Sequence, residues 1–171
     1  TDITTIDASA TTGGVTMTNR TSIAANTLTG GTGVDTFIMK HGNDVITGGS
    51  GADVLNISLS AVLGGLSVDL SSATDQIITF NGSANAAVQT GFTSVDASGY
   101  TGSFGAQLTA NKAGSTITGS PQTDSITAAA GADIVIYNTI GASTAADQIN
   151  SFTSGSDKLH FATALATSAG T

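Results

Sequence analysis

A chain of 171 residues with only 9% charged side chains, 22 glycines, one proline and no cysteine has little material for long helices. Its polar surface must come from Thr, Ser and Asn, which suit strands and turns. The net charge of −8, with Lys+Arg at 4, argues against nucleic acid and anionic membrane surfaces as partners and for bound cations. No apolar run approaches the roughly 18 residues of a membrane span, and the lack of cysteine leaves an oxidising compartment open, because a metal-stapled fold needs no disulfide.

The chain opens at Thr1 with no basic-then-apolar leader, which leads us to expect a processed piece of something larger. Ile3 to Ile6 reads as a short strand leaving at an Asp7-Ala8-Ser9 turn, followed by Gly13-Gly14 and a strand at Val15 to Thr18. A nine-residue period then takes over between 21 and 56. Cut from Gly30, its blocks place Gly33, Gly42 and Gly51 at position four, Asp35, Asp44 and Asp53 at position six, and Phe37, Ile46 and Leu55 at position eight. The block before them keeps Asn26 and Leu28 at positions six and eight.

Glycines at positions one, two and four allow a tight turn with positive φ, and the last three residues of each block form a short strand whose position eight points inward. Such a unit is half a coil, so two blocks complete a coil and loops on one edge stack roughly 4.8 Å apart. Calcium takes oxygen ligands at about 2.3–2.6 Å, so an ion wedged between stacked loops fits that spacing. Asp35 and Asp53, eighteen residues apart, would share one ion, while Asp44 meets Asn26 on the opposite edge. Without a cation, stacked carboxylates repel by roughly 1 kcal/mol in water and more where solvent is excluded.

Residues 57–70 alternate apolar and polar around Gly64-Gly65, and Gln76 to Phe80 reads as a strand running into a turn. These are expected as further coils or a small sheet, with a helical turn at Ser60 to Leu63. At an offset of 89, Asp96-Ala97-Ser98 then repeats Asp7-Ala8-Ser9 without a gap, carrying Asp35 onto Asp124 and Asp44 onto Asp133. We read this as an internal duplication and divide the chain into sections 1–91 and 92–171. The second copy has Ser120 and Gln122 where the first has Gly31 and Gly33, and Ala106 and Ser115 stand eighteen residues before its aspartates. It is expected to rest on apolar stacking of Ile117, Ile126 and Val135, with one poor metal site or none. From about 147 the tail, with Asp157 as a further candidate ligand, is expected to cap the open end, and Ala162 to Ala166 to begin another helix or to form a frayed end.

The tract at 21–56 resembles the RTX, hemolysin-type, calcium-binding nonapeptide repeat through Gly30, Gly31, Gly33, Asp35, Gly42, Asp44, Gly48, Gly49, Gly51 and Asp53. The resemblance implies an all-β parallel β-roll, or β-solenoid, with calcium held in the GGxGxD turns. By position it assigns Asp35 with the carbonyls of Gly30 and Thr32, and Asp53 with those of Gly49 and Gly51. Met39-Lys40-His41 departs from Gly-Gly-x, which weakens an Asn26/Asp44 site. The tail from Asp147 resembles the ending of such solenoids, and the Asp-Ala-Ser and Thr-Leu-Thr-Gly-Gly words are similar to those of type I secreted surface-layer proteins and adhesins of Gram-negative bacteria.

His41 and His160 lack the partners of a catalytic site and are expected as solvent-facing fillers, and no nucleophile or zinc motif occurs, so no enzymatic role is expected. Three functions compete. The first is a structural, calcium-dependent section of a surface-layer (S-layer) protein, self-associating and in contact with a cell-surface polysaccharide. The second is an adhesin or ligand-binding module, and the third is the secretion and folding tail of an extracellular enzyme. A flat Thr face for ice or sugar is a further, lesser alternative.

Overall fold

The computed structural model describes residues 3–19, 24–60, 63–137 and 146–161. In chain order the strands are β1 (Thr5–Asp7), β2 (Thr16–Thr18), β3 (Thr27–Thr29), β4 (Thr36–Met39), β5 (Val45–Thr47), β6 (Asp53–Leu59), β7 (Leu66–Asp69), β8 (Ile77–Phe80), β9 (Ser83–Ala84), β10 (Gln89–Thr90), β11 (Phe92–Tyr100), β12 (Ala106–Thr109), β13 (Thr116–Thr118), β14 (Ser125–Thr127), β15 (Ile134–Tyr137), β16 (Gln148–Asn150) and β17 (Lys158–Phe161). The described residues contain no helix, and the chain winds as a parallel β-solenoid of about 6 turns, the all-β roll expected. Words such as Thr27-Leu28-Thr29 and Thr116-Ile117-Thr118 explain the brevity of the strands. A single central apolar side chain goes inward between β-branched flanks, which are exposed or half-buried apart from the buried Thr118.

One seven-stranded sheet, β17-β15-β13-β11-β6-β4-β2, runs the length of the roll. The intervening strands form a four-stranded sheet, β1-β3-β5-β10, and a six-stranded sheet, β16-β14-β12-β7-β8-β9. A single apolar core holds Phe37, Leu55, Val95, Ile117 and Val135 from the long sheet together with Leu28, Ile46, Val68, Leu108 and Ile126 from the others. Phe37 and Phe92 meet edge to face at 5.5 Å between ring centroids.

The eighteen-residue register is present wherever two plain blocks follow one another. Phe37 pairs with Leu55, Leu28 with Ile46, Leu108 with Ile126 and Ile117 with Val135, all in parallel ladders. It breaks between β6 and β11, where Leu55 pairs with Val95. There the chain crosses to β7, makes an antiparallel excursion through β8 and β9, and returns by β10 beside β5. The two alternatives for this stretch are thus both present, a coil strand and a small hairpin. Of the helical turn read at Ser60 to Leu63, Ala61 and Val62 lie outside the described residues, as do Ala162 to Ala166.

The long sheet continues through the boundary read at 91–92, since β11 pairs with both β6 and β13. Residues matched at the offset of 89 occupy different sheets: β1, β3 and β5 lie in the four-stranded sheet, and β11, β13 and β15 in the seven-stranded one. The second copy is therefore half a coil out of phase with the first. The tail forms β16 and β17, which add one more coil to the two sheets. Its Phe152, Leu159 and Phe161 remain 38%, 44% and 40% exposed.

Candidate metal-binding turns

Every half-coil ends in a turn. On the first edge the chain enters the long sheet through turns ending at Val15, Asp35, Asp53, Ser115, Asp133 and Asp157, with β11 entered directly from β10 at Gly91; on the second it leaves through turns ending at Asn26, Asp44, Ala106, Asp124 and Asp147, with β7 entered from Gly65. Because of the half-coil phase shift, Asp35 and its sequence counterpart Asp124 stand on opposite edges, as do Asp44 and Asp133.

The aspartates are buried: Asp35, Asp44 and Asp53 at 0%, Asp124 at 2%, Asp133 at 1% and Asp157 at 7% exposure. Each reaches back one coil. Asp35 Oδ1 accepts the N–H of Val15 at 2.8 Å, Asp53 Oδ1 that of Asp35 at 2.8 Å, and Asp44 Oδ1 that of Asn26 at 2.7 Å. Asp124, Asp133 and Asp157 do the same to Ala106, Ser115 and Asp133 at 2.7, 2.7 and 3.0 Å. Asp147, which sequence reasoning left out of the ligand set, accepts from Asp124 N–H at 2.8 Å. These carboxylates form two ladders of charge-assisted backbone bonds, which offset the cost of burying them.

The second oxygen separates the turns. In four of them Oδ2 accepts the N–H four residues earlier in the same turn: Gly31 to Asp35, Ser120 to Asp124, Ala129 to Asp133 and Thr153 to Asp157, each at 2.7 Å. These turns are closed, with both carboxylate oxygens engaged by backbone. Asp53 differs, its Oδ2 being buried without a hydrogen-bond partner. The cause lies in Gly48-Gly49-Ser50-Gly51, where Gly49 and Gly51 adopt φ of 108° and 147° and so turn the backbone away from the closed form. A Cβ on Gly49 would collide with the Gly31 carbonyl, and one on Gly51 with that of Gly33. Among the three blocks at 30–56 positive φ is found only here; elsewhere it recurs at Gly82, Gly91, Gly114 and Gly155 and at Asn81 and Ser151. Gly30, Gly31 and Gly33, in the other complete motif, do not adopt it.

Asp44 is saturated differently. Its Oδ1 accepts from Asn26 N–H and from Asn26 Nδ2 at 2.9 Å, and its Oδ2 accepts from Asn19 Nδ2 at 2.6 Å. Two asparagine amides thus occupy this turn. Asn26 was legible from the period, whereas Asn19 lies off the eighteen-residue register and carried no signal. His41 is not the solvent-facing filler expected: its side chain is 13% exposed, with Nε2 3.7 Å from Asp44 Oδ2. His160 is exposed, as expected.

Burial pushes the Asp53 carboxyl above its ordinary range, and the Asp35 charge adds to that rise against the Asp35 N–H bond. Burial likewise raises Asp124 to about 6; bonds from Ser120 and Ala106 oppose the rise and the charge of Asp147 adds to it. Asp157 is held low by the N–H groups of Thr153 and Asp133.

Among the described residues no three acidic or histidine side chains converge, so a cation here must draw on backbone carbonyls as well. The residues present fit calcium, a hard cation that takes carboxylate and carbonyl oxygens. An uncompensated buried carboxylate oxygen on Asp53 lies in a turn whose glycines leave the backbone uncovered, stacked on the carbonyls of Gly30, Gly31 and Gly33. Sharing an ion between Asp53 and Asp35 requires the turn at 30–35 to release the Gly31 N–H from Asp35 Oδ2. Thr32 is exposed at its rim.

The model of the RTX calcium-binding nonapeptide repeat matches residues 41–56 and 109–138, in four copies. The match covers the open turn and extends well into the glycine-poor second copy. No curated protein and no solved structure is significantly similar to the chain. Repeat match, register and carboxylate ladders agree: the chain carries RTX calcium-binding nonapeptide repeats wound into a β-roll.

Proposed function

We propose that this chain is a structural, non-enzymatic section of a secreted bacterial cell-surface protein of the S-layer kind, exported by a type I system from a Gram-negative cell. In this reading calcium folds the section outside the cell, neighbouring copies associate, and a cell-surface polysaccharide is a partner. The observation that carries the calcium-driven part is the open Asp53 turn stacked on Asp35. Asp35 and Asp53 would hold the ion with carbonyls of the two glycine turns. When bound, the cation supplies charge compensation and a cross-link between coils. In a calcium-poor cytoplasm the acidic, glycine-rich chain stays exportable; outside, modules with Kd of about 10⁻⁴–10⁻³ M are saturated. The duplication supports the lattice part, since arrays are built from repeats. Among the described residues no helix is long and apolar enough to cross a membrane.

The test is a calcium titration followed by far-UV circular dichroism and light scattering, with Asp35→Ala/Asp53→Ala as control. Gain of strand signal and then of large ordered particles, both absent in the control, supports the whole reading. Folding without assembly removes the lattice and favours an adhesin or a secretion tail. A chain already folded in chelator and indifferent to calcium sinks the metal reading.

A further inference from the structure

The excursion through β8 and β9 turns on Asn81-Gly82, the one Asn-Gly pair in the chain. Asn81 and Gly82 have φ of 55° and 75°, the signature of a two-residue type I′ hairpin turn, with Phe80 paired to Ser83 across it. The turn does not stand free. Gly82 N–H donates to the Gly65 carbonyl at 2.9 Å, and Leu63 N–H donates to Asn81 Oδ1 at 2.6 Å. Backbone lies on backbone here, since a Cβ on Gly64 would come within 2.4 Å of Gly82 Cα. The fully buried Tyr100 donates its hydroxyl to the Gly64 carbonyl and holds that segment in place.

Asn-Gly is the pair most open to intramolecular attack on a side-chain amide, because glycine puts no side chain in the path of its own nitrogen. The Gly82 nitrogen gives up its proton and bonds to Asn81 Cγ, the Cγ–Nδ2 bond breaks, and Nδ2 leaves as ammonia. Water then opens the resulting five-membered imide at either carbonyl, giving aspartate or isoaspartate. One water is consumed and one ammonia released, with no change of oxidation state. Docking blocks the first step twice. The proton that must leave is held on the Gly65 carbonyl. Ring closure also needs the Gly82 nitrogen eclipsed with Asn81 Cβ about the Cα–C bond, whereas a left-handed residue is confined to ψ of about +30 to +60°. That range sets the two atoms nearly opposite each other.

We propose that Asn81-Gly82 is a self-modification site gated by this docking: inert while the turn rests on Gly64-Gly65, and converted to aspartate or isoaspartate once the β8–β9 excursion lifts away. Refolding does not undo the conversion. Isoaspartate carries the main chain through one extra carbon, which a two-residue turn has no room for, so an excursion that has reacted this way does not dock again. The site thereby records, covalently, how long the excursion has been open. Neither calcium binding nor assembly is needed for this, so it goes beyond the function proposed above.

In the experiment the whole chain is held at mildly alkaline pH in calcium-containing buffer and, in parallel, in urea. Its asparagines are followed by peptide mass spectrometry with fragmentation that separates aspartate from isoaspartate. Exchange of the Gly82 amide is read by NMR on the native sample, because it needs the same N–H to leave Gly65. In urea Asn81 should be the first asparagine to convert. In the native chain it should convert at least roughly tenfold more slowly, equivalent to about 1.4 kcal/mol of opening, and the Gly82 N–H should be protected from exchange by a similar factor. Tyr100→Phe, which takes the hydroxyl from the Gly64 carbonyl, should raise both rates together by roughly three- to tenfold; if that variant does not fold, the wild-type comparison decides. Native conversion as fast as in urea, a protected Gly82 N–H without slowed conversion, or another asparagine converting first in urea overturns the proposal.

Discussion

The turns Gly48-Gly49-Ser50-Gly51-Ala52-Asp53 and Ala128-Ala129-Ala130-Gly131-Ala132-Asp133 sit on the same edge of the roll and bring a buried aspartate to the same station. The alanine turn closes, its Ala129 N–H on Asp133 Oδ2, and the carboxylate is complete without help. The glycine turn takes positive φ at Gly49 and Gly51 and leaves Asp53 Oδ2 empty-handed. In this block the glycines do more than permit a tight bend, since alanine makes one too. With positive φ at Gly49 and Gly51 the backbone donor stays away from the carboxylate and an oxygen is kept available for a cation, whereas Gly30, Gly31 and Gly33 close like the alanine turn.

The largest effect that separates the two turns is expected in chelator. Asp133→Ala strips the acceptor from both Ser115 and Ala129 N–H, at a cost of about 2–5 kcal/mol. Asp53→Ala strips it from Asp35 alone and removes an uncompensated charge, for about 1 kcal/mol or less. In saturating calcium Asp53→Ala should become the costlier change. Urea denaturation with and without calcium reads the order, and no reversal would mean that Asp53 holds no cation. Next comes Gly49→Ala, which forces a side chain into φ of 108° and against the Gly31 carbonyl; a loss of about 1–3 kcal/mol is expected, together with a weaker calcium response in calorimetry.

A pH scan in chelator sharpens the contrast with the second edge. Asp124 is raised to about 6 from 3.8, so between those values the folded chain binds more protons than the unfolded one. Stability should therefore rise, by on the order of 1–2 kcal/mol after allowance for its partial exposure, as pH falls from about 6 to 4. Asp53, also raised, acts in the same direction, while Asp157, held low, begins to oppose only at more acid pH. Asp124→Asn should flatten the slope, and a melting midpoint that falls steadily across the window would refute the burial argument. The smallest effect belongs to Ala128→Gly/Ala129→Gly, which converts the closed turn to the glycine pattern. About 0.5–1 kcal/mol is lost per added glycine in chelator and is regained in calcium if the turn opens; titration calorimetry should then gain one weak site relative to wild type.

The roll and its eighteen-residue register were legible because each plain block has the same length and carries one inward apolar residue, so Leu28, Phe37, Ile46 and Leu55 announce their own stacking. The stretch from Ile57 to Thr90 was not, because the β8–β9 excursion pairs antiparallel and obeys no nine-residue rule. The aspartates were found, but not what holds them. Charge on a page suggests a counter-ion, whereas the partners here are mostly backbone N–H groups, which a string of side chains does not display. The half-coil phase of the duplication was hidden for a related reason, since the two edges demand the same residues and a block reads alike on either.

The ladders also have a direction. Each carboxylate grips the coil before it: Asp35 on Val15, Asp53 on Asp35, Asp133 on Ser115, Asp157 on Asp133. Under tension a coil comes away only when the carboxylate of the coil after it lets go of its N–H, and each plain coil then releases roughly 60 Å of extended chain. Calcium between coils would act as a set of detents along the way, concentrated at Asp53. A load arriving from the other end would meet the same clasps in the opposite sense, so the roll would be mechanically asymmetric although its two edges are chemically alike.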